Sequence, residues 1–498
     1  MSLIAPVDPH LPVIIVLAPL LGALLVALIR VEIASWPIAI ASALVSAMAA
    51  FRLVFGFETL GVVSYRLGGF APELGIEYRV DAVNVLVLLL VTGVSLVTLL
   101  YARQSVADEI DGGRVPWFYA MMLVAMSGLL GMAITGDAFN AFVFLEISSL
   151  STYTLIALGR DRRALVAAYQ YLIVGTIGAT FYVIGVGLLY LSTGTLNLAL
   201  IIERLPDVTS PRALIAAEAF ILVGIALKLA LFPLHAWLPN AYGYAPSAAT
   251  VLIASTATKV AVYLMARFLF GVFGIHVELG PISVTGVLIV LSLGAMFVAS
   301  AAAVFQRDVK RLLAFSSVAQ IGYITLGLAL ANPAGLTGAF LHIVNHALMK
   351  GAAFMAIGAV LLRCGSSRLD DLAGIGRTMP ATAVALTIAG LGLIGVPGTS
   401  GFVSKWYLVL GAFDDGKGWL AFLIVASSVI AVLYVGRILE VVWFREPGKT
   451  ALAAREAPLG MLLPTLLLAG LTILFGIDAE LPARLAGAAA SALLGGRP

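Results

Sequence analysis

A single cysteine, Cys364, stands in a chain of 498 residues. One thiol forms no internal disulfide framework and no cysteine-ligated zinc or iron–sulfur site, so both classes are excluded. Charge is scarce as well. Asp, Glu, Lys and Arg make up 11% of the sequence, against ~25% in an ordinary soluble domain. A net charge of +3 is small for this length and gives no case for a nucleic-acid partner. What fills the chain is apolar. Hydrophobic residues reach 61% and the mean hydropathy is +1.08. That excludes disorder and leaves a polytopic protein embedded in a lipid bilayer.

A helical span needs about 20 apolar residues. Fourteen runs qualify, at 12–30, 34–55, 80–102, 116–135, 137–158, 164–191, 213–240, 245–270, 282–305, 308–331, 335–362, 380–412, 418–444 and 458–476. The short alternating segments of a membrane barrel are absent. The expected fold is therefore all-α and polytopic, with about 14 transmembrane helices. The N-terminus carries no basic leader region and no clear cleavage site, so the first run is read as a retained span.

Basic residues set the expected orientation. Sixteen of the 29 Lys and Arg fall in alternate loops, among them Arg160, Arg162 and Arg163, then Arg307, Lys310 and Arg311. Nine, ending with Arg497, fall on the other side. The richer side is expected to be cytoplasmic. Both termini then face outward across the cell's inner (plasma) membrane.

Four basic residues remain, Lys228, Lys259, Lys350 and Lys405, all inside expected spans. None is Arg, although Arg outnumbers Lys threefold in the chain. Arg stays charged at any working pH, whereas a buried Lys can release its proton. Glu146 is a fifth mid-span charge. A charge at the bilayer centre costs at least about 2.5–3.5 kcal/mol, so five of them are hard to read as tolerated accidents. Inert ion pairs are the plainer alternative. One acid, however, cannot neutralise four bases.

Two spans carry built-in breaks. Pro233 follows Lys228 by five residues, and proline removes a backbone donor and clashes with the preceding turn. Farther on, Pro397 and Gly398 sit in a glycine-rich stretch just before Lys405. Irregular backbone at membrane depth survives only where protein or a water cavity covers it. In the eleventh span His342, His346 and Lys350 recur every four residues, which places them on one helical face. Histidine has the side chain whose ordinary pKa lies nearest neutrality. No carboxylate or Cys joins the two histidines, so no metal site is expected.

Spans four to eight and nine to thirteen form two five-helix units, each broken in its fourth helix. Because five is odd, the second unit is expected to be inverted relative to the first. The expected divisions are 1–115 (helices 1–3 and the outer loop), 116–270 (first repeat), 271–444 (inverted second repeat) and 445–498 (helix 14 and tail). The loop at roughly 56–79 is expected to cap the outer face.

The segments FNAFVFLEISSLSTYTLIALG, ALKLALFPLHAWLPNAYGYAPSAATVLIASTATKVAVYLMAR, HIVNHALMKGAAFMAIG and GLIGVPGTSGFVSKW resemble the antiporter-like subunits shared by complex I (proton-pumping NADH–quinone oxidoreductase), Mrp cation/proton antiporters and membrane-bound hydrogenases. The resemblance covers nearly the whole chain. It implies that Glu146 is the key acid, Lys228 its paired lysine and Lys259 the central relay. It also implies relay roles for His342, His346 and Lys350, with Lys405 as the terminal exit residue. The length and the FVFLE and VPGTSGF segments look most like the D-type chain of Mrp antiporters, with the M-type chain of complex I next and a hydrogenase ion-pumping chain third.

The expected function is that of a proton-translocating subunit of a multi-subunit sodium/proton antiporter. The alternative is the same module driven by a redox enzyme. The expected partners are other membrane subunits and protons. The sequence contains no all-oxygen carboxylate cluster of the kind a hard cation such as sodium favours, so this chain is expected to carry protons. No nucleotide, flavin, iron–sulfur or quinone motif is present, so no cofactor is expected here and any redox chemistry belongs to partner subunits.

Overall fold

The computed structural model describes residues 9–274 and 283–495, apart from the side chains of 55–60. Arg497 and the expected start of the ninth span, Ile282, lie outside the described residues.

Helices α1 (Leu11–Ile29), α2 (Glu32–Leu60), α3 (Ala82–Glu109), α4 (Val115–Ile134), α5 (Ala138–Ala157) and α6 (Arg162–Thr193) open the chain. A short α7 (Leu198–Arg204) precedes α8 (Pro211–Leu229) and α9 (Leu238–Tyr244). Then come α10 (Ser247–Val272), α11 (Val284–Val304), α12 (Val309–Leu330) and α13 (Pro333–Cys364). The last are α14 (Pro380–Ile394), α15 (Ser400–Asp414), α16 (Gly418–Phe444), α17 (Leu459–Ile477) and α18 (Glu480–Gly495).

Among the described residues twelve helices are long and apolar enough to cross a membrane, or up to thirteen if Leu369–Arg377, bent by 115° from α14, is counted with it. The twelve coincide with twelve of the fourteen expected spans. The other two expected spans are the ones with built-in breaks. The run 213–240 is divided between α8 and α9, and the run 380–412 between α14 and α15.

Polar caps punctuate the apolar runs. The Asp81 carboxylate accepts the Val83 N–H while the Asn84 side chain accepts the Asp81 N–H, a reciprocal cap on α3. Asp137, Asp161, Asp308 and Asn332 cap α5, α6, α12 and α13, each with a side-chain oxygen that accepts a backbone N–H of the first turn. Each satisfies backbone donors that a helix start leaves orphaned. Small residues then let the helices close up. A Cβ on Gly224 of α8 would lie 2.6 Å from the Gly178 carbonyl oxygen of α6, so only glycine permits that approach.

Two features differ from the sequence reading. The 56–79 segment is not merely a loop. Strands β1 (Val63–Arg66) and β2 (Glu77–Val80) pair antiparallel, and Glu77 accepts from the Asn197 side chain at 2.9 Å. The C-terminal tail forms α18, which packs on α3 and α13 through Ala486, Ala489 and Ala490. Its alanine-rich, partly charged run falls below any span threshold, and its helical period went unread.

Candidate functional site

The first broken helix ends next to a lysine. Helix α8 stops at Leu229 and Ala230 turns into the left-handed region at φ 59°. Lys228 therefore sits in the last turn, where the helix dipole favours a cation. The Trp237 indole donates to the Leu227 carbonyl at 3.0 Å and stacks on Tyr171 at 3.7 Å. The Lys228 Nζ donates to the Ser149 hydroxyl and, at 3.2 Å, to the Tyr153 hydroxyl. The Tyr153 and Tyr171 ring centroids each lie 5.3 Å from it. Glu146, on the same helix as Ser149 and Tyr153, is half-buried. Its Oε1 has no hydrogen-bond partner. Glu146 and Lys228 are near enough to interact electrostatically, but Ser149 and Tyr153 hold the amine.

The second broken helix repeats the theme with a different stretch of chain. Helix α14 ends at Gly395, φ 89°, and leaves its last carbonyls free. Lys405, on α15, donates to two of them, Leu393 at 3.0 Å and Ile394 at 2.9 Å, and to the Ser428 hydroxyl at 2.9 Å. Its amine also lies 4.3 Å from the Tyr323 ring centroid. A Cβ at Gly395 would fall 2.9 Å from the Lys405 Cδ, so glycine serves here both for its backbone angle and for the lysine's room. Pro397 and Gly398 form the connecting turn.

Between the two lies a buried polar run. Lys259 is 1% exposed. Its Nζ donates to the Ala254 carbonyl, which belongs to a π-helical turn over Ile253–Ala257. Such a turn displaces carbonyls from the regular helical ladder. His346, fully buried, has no hydrogen-bond partner on either ring nitrogen and is within electrostatic reach of both Lys259 and Lys350. Lys350 donates to the Leu313 carbonyl at 2.7 Å and to the Ser316 hydroxyl. The His342 and His346 rings are 6.1 Å apart and nearly parallel, at 18°, as the four-residue spacing requires. His342 Nε2 is 2.8 Å from Gln320 Oε1, and its Nδ1 is 2.8 Å from the Ser404 hydroxyl. The Gln320 oxygen only accepts, so Nε2 carries the proton and Nδ1 accepts from Ser404.

The structure thus brings Lys259, His346, Lys350, His342 and Lys405 into one buried band, with Lys228 and Glu146 in a separate pocket on α5 and α8. The sequence reading missed several members. Tyr153 and Ser149 belong to the Glu146 helix, and their four-residue spacing (149, 153) was the available signal. Tyr434 of α16 faces Ser316 and Gln320, and its hydroxyl is buried without a hydrogen-bond partner. It fills the gap between the Lys350 and His342 contacts, and nothing local in its apolar run marks it. Glu218 of α8 is fully buried with both carboxyl oxygens unpartnered. It is a further intramembrane acid, and the rule that found Glu146 applies equally to it.

Fold and site together define an antiporter-like membrane subunit: a multi-pass helical protein with two interrupted helices, each presenting a lysine at a helix end. Residues 135–431 match the family model described as the transmembrane region of NADH:quinone oxidoreductase and Mrp antiporters. The chain is 40% identical to the N-type subunit of NADH-quinone oxidoreductase of Desulforudis audaxviator, over 95% of this chain and 96% of that protein. It is 30% identical to the D-type subunit of the Na(+)/H(+) antiporter of Alkalihalophilus pseudofirmus, over 84% of each. Among solved structures, a chain of the Mrp complex from Dietzia sp. superposes with a TM-score of 0.89 at 27% identity, covering 98% of this chain and 97% of that one. A chain of an archaeal membrane-bound sulfane sulfur reductase gives 0.89 at 31% identity, with coverage of 97% and 98%. The chain belongs to the NADH:quinone oxidoreductase/Mrp antiporter transmembrane family. Those structural relatives are parts of multi-subunit assemblies, and this chain likewise partners with other membrane subunits.

Proposed function

We propose that this chain translocates protons across the plasma membrane within a larger complex, along Glu146, Lys228, Lys259, His342, His346, Lys350 and Lys405. One observation carries the reading. Lys228, Lys259, Lys350 and Lys405 are all buried, and among the described residues none meets a carboxylate at ion-pair distance. Structural ion pairs would need such partners. Buried amines held by carbonyls and hydroxyls instead are free to take up and release protons. The break at Pro397–Gly398 supports this reading by freeing the carbonyls that hold Lys405, and the break before Pro233 by ending α8 next to Lys228. The same layout supports reading the two five-helix units, 116–270 and 271–444, as inverted repeats. The bias of basic residues supports termini on the outer side.

The driving reaction belongs to the partners. Forty per cent identity to an N-type chain of NADH-quinone oxidoreductase supports membership of a redox-driven complex. The likeness to a D-type antiporter chain and to the Mrp complex supports a sodium/proton antiporter as the second reading, and the two stand level. In either case this chain is read as carrying protons rather than sodium, because it assembles no cluster of carboxylates, among the described residues, of the kind a hard cation favours.

The assembled complex in proteoliposomes, with a trapped pH dye, tests the reading. Lys259→Met should assemble normally and lower proton flux by at least about tenfold. Native flux in that variant overturns it. Flux coupled to a sodium gradient rather than to quinone reduction would select the antiporter.

A further inference from the structure

Glu218 lies on α8, the helix that carries Lys228, and stands outside the residues assigned to the path. It is fully buried, and neither of its carboxyl oxygens has a hydrogen-bond partner. Around it on the buried face of α8 are Ala217, Ile221, Leu222, Gly224 and Ile225. Ten residues separate it from Lys228, a rise of about 15 Å. The chain fixes the direction. Helix α6 starts at Arg162 in a basic loop and ends at Thr193 on the opposite face, and α8 returns from that face, starting at Pro211. Glu218 is therefore on the side of Lys228 away from the basic loops.

Burial without donors decides its resting charge. An ionised carboxylate out of water needs donors or a cation, and is far costlier to bury than the neutral acid. Glu218 has neither, so it rests with its proton on. Even the neutral carboxyl is unfavourable there, because it gives up hydrogen bonds to water and makes none in return. A leucine would fill the site without that loss. Helix α8 packs on α6 and α10. The titratable groups these helices turn inward are Tyr171 and Tyr182 of α6, and Lys259, Tyr263 and Arg267 of α10. None of them bonds the Glu218 oxygens, so the acid anchors no neighbour. Tyr182 sets a buried hydroxyl along the same direction. A Cβ at Gly224 of α8 would lie 2.7 Å from the Tyr182 nitrogen, and the phenol reaches from there to the Ala138 carbonyl, at 3.0 Å, where α5 starts on the face opposite the basic loops.

We propose that Glu218 is a further proton-binding group of this chain, loaded from Lys228 and discharged toward the face opposite the basic loops. The proposal rests on the proton-path reading above. Neutral Glu218 gives its proton to water on that face and becomes a carboxylate. The Lys228 ammonium then releases the proton that restores the acid, and a neutral amine remains. The second step is favoured in a low-dielectric interior, since two buried charges without ion-pair partners become two neutral groups. Over about 15 Å of helix that proton is carried by intervening water and not by direct contact.

The competing reading is an idle acid that keeps its proton throughout. In the assembled complex in proteoliposomes, Glu218→Gln keeps size and polarity but carries no proton, and should lower flux by at least about tenfold. Glu218→Leu should do the same while leaving the unfolding midpoint unchanged or raised. Glu218→Asp should retain part of the flux. Near-native flux in Glu218→Gln overturns the proposal. A second measurement reads the native complex. In infrared difference spectra the carbonyl stretch of a protonated carboxyl is assigned to Glu218 by its loss in Glu218→Gln or its shift in Glu218→Asp. That band should weaken while an imposed pH gradient drives flux and recover when the gradient is collapsed. A band that stays constant through flux, or no band at all, overturns the proposal. Lys228→Met separates the two levels: if it conducts normally, the proton path itself fails, whereas a blocked Lys228→Met beside a normal Glu218→Gln removes only the role of Glu218.

Discussion

The Lys228 amine rests on the Tyr153 hydroxyl, 3.2 Å away, and not on the Glu146 carboxylate two turns earlier on the same helix as the tyrosine. The acid and the base are thus bridged by a hydroxyl-bearing surface of α5. A hydrogen bond to a charged group is worth about 1.5–3 kcal/mol, and each 1.4 kcal/mol is about tenfold in rate. Tyr153→Phe keeps the ring beside Lys228 and deletes only the hydroxyl. It should lower proton flux by about tenfold while the complex assembles normally. If flux is unchanged, the bridge is packing and the lysine finds its proton route elsewhere.

Glu146 is the one charged residue within α5, and its Oε1 stands buried and unpartnered. Glu146→Gln preserves shape and removes the charge. Coupled transport should fall by at least about tenfold with no change in the amount of complex recovered. Glu146→Asp keeps the charge on a shorter stem and should retain part of the flux. Normal pumping by the Gln variant would sink the role given to this acid.

Much of this architecture was legible because it follows from two strong signals. Apolar runs report spans, and intramembrane charges report the path, since both are costly to misplace in lipid. Pro233 and the 395–398 stretch announced the broken helices for the same backbone reason that the structure displays. What stayed hidden depended on tertiary proximity. Tyr434 comes to Ser316 and Gln320 only because α16 folds against α12. Lys310 looks like any loop cation until its amine meets the Ala245 carbonyl in the α9–α10 connection. Helix α18, rich in Ala and carrying Glu480 and Arg484, is too polar for a span and too small in hydrophobic content to stand out.

At the face opposite the basic loops, Asp81 and Arg267 form a bidentate pair with both contacts at 2.7 Å, the side chains only 12% and 18% exposed. It fastens the start of α3 to the end of α10. Burial pushes the Asp81 carboxyl up, but the Arg267 charge and its hydrogen bonds, helped by the Val83 N–H and Arg79, outweigh that and hold it below the usual carboxylate range. A carboxyl lowered on folding contributes stability that is complete above its unfolded pKa, about 3.9, and is lost only as pH falls through the lower folded value. Asp81→Asn strands Arg267 and should cost about 3–5 kcal/mol, read as a lower midpoint in thermal unfolding of the detergent-solubilised complex. The gap between native and variant should hold constant from about pH 8 to about 5 and close only below about 4. A gap that closes near neutral pH would assign the effect to another group.

Lys405 gives the sharpest test of an exit group, because two of the three acceptors of its amine are backbone carbonyls. The Leu393 and Ile394 carbonyls that receive it are free only because α14 stops at Gly395. Ser428 and the Tyr323 ring complete the cradle, and Ser404, one residue before it, contacts His342. A proton reaching His342 is therefore a single side chain away from the end of the path. Arg at 405 satisfies the same carbonyls and keeps the charge, yet holds its proton at any working pH. Ala removes charge and donor together. Lys405→Arg and Lys405→Ala should each cut flux by at least about tenfold, and only Ala should also leave the Ile394 carbonyl without its side-chain donor and lower the unfolding temperature. If Lys405→Arg transports at the native rate, the amine serves as a fixed charge that braces the broken helix, and the exit must lie at another group.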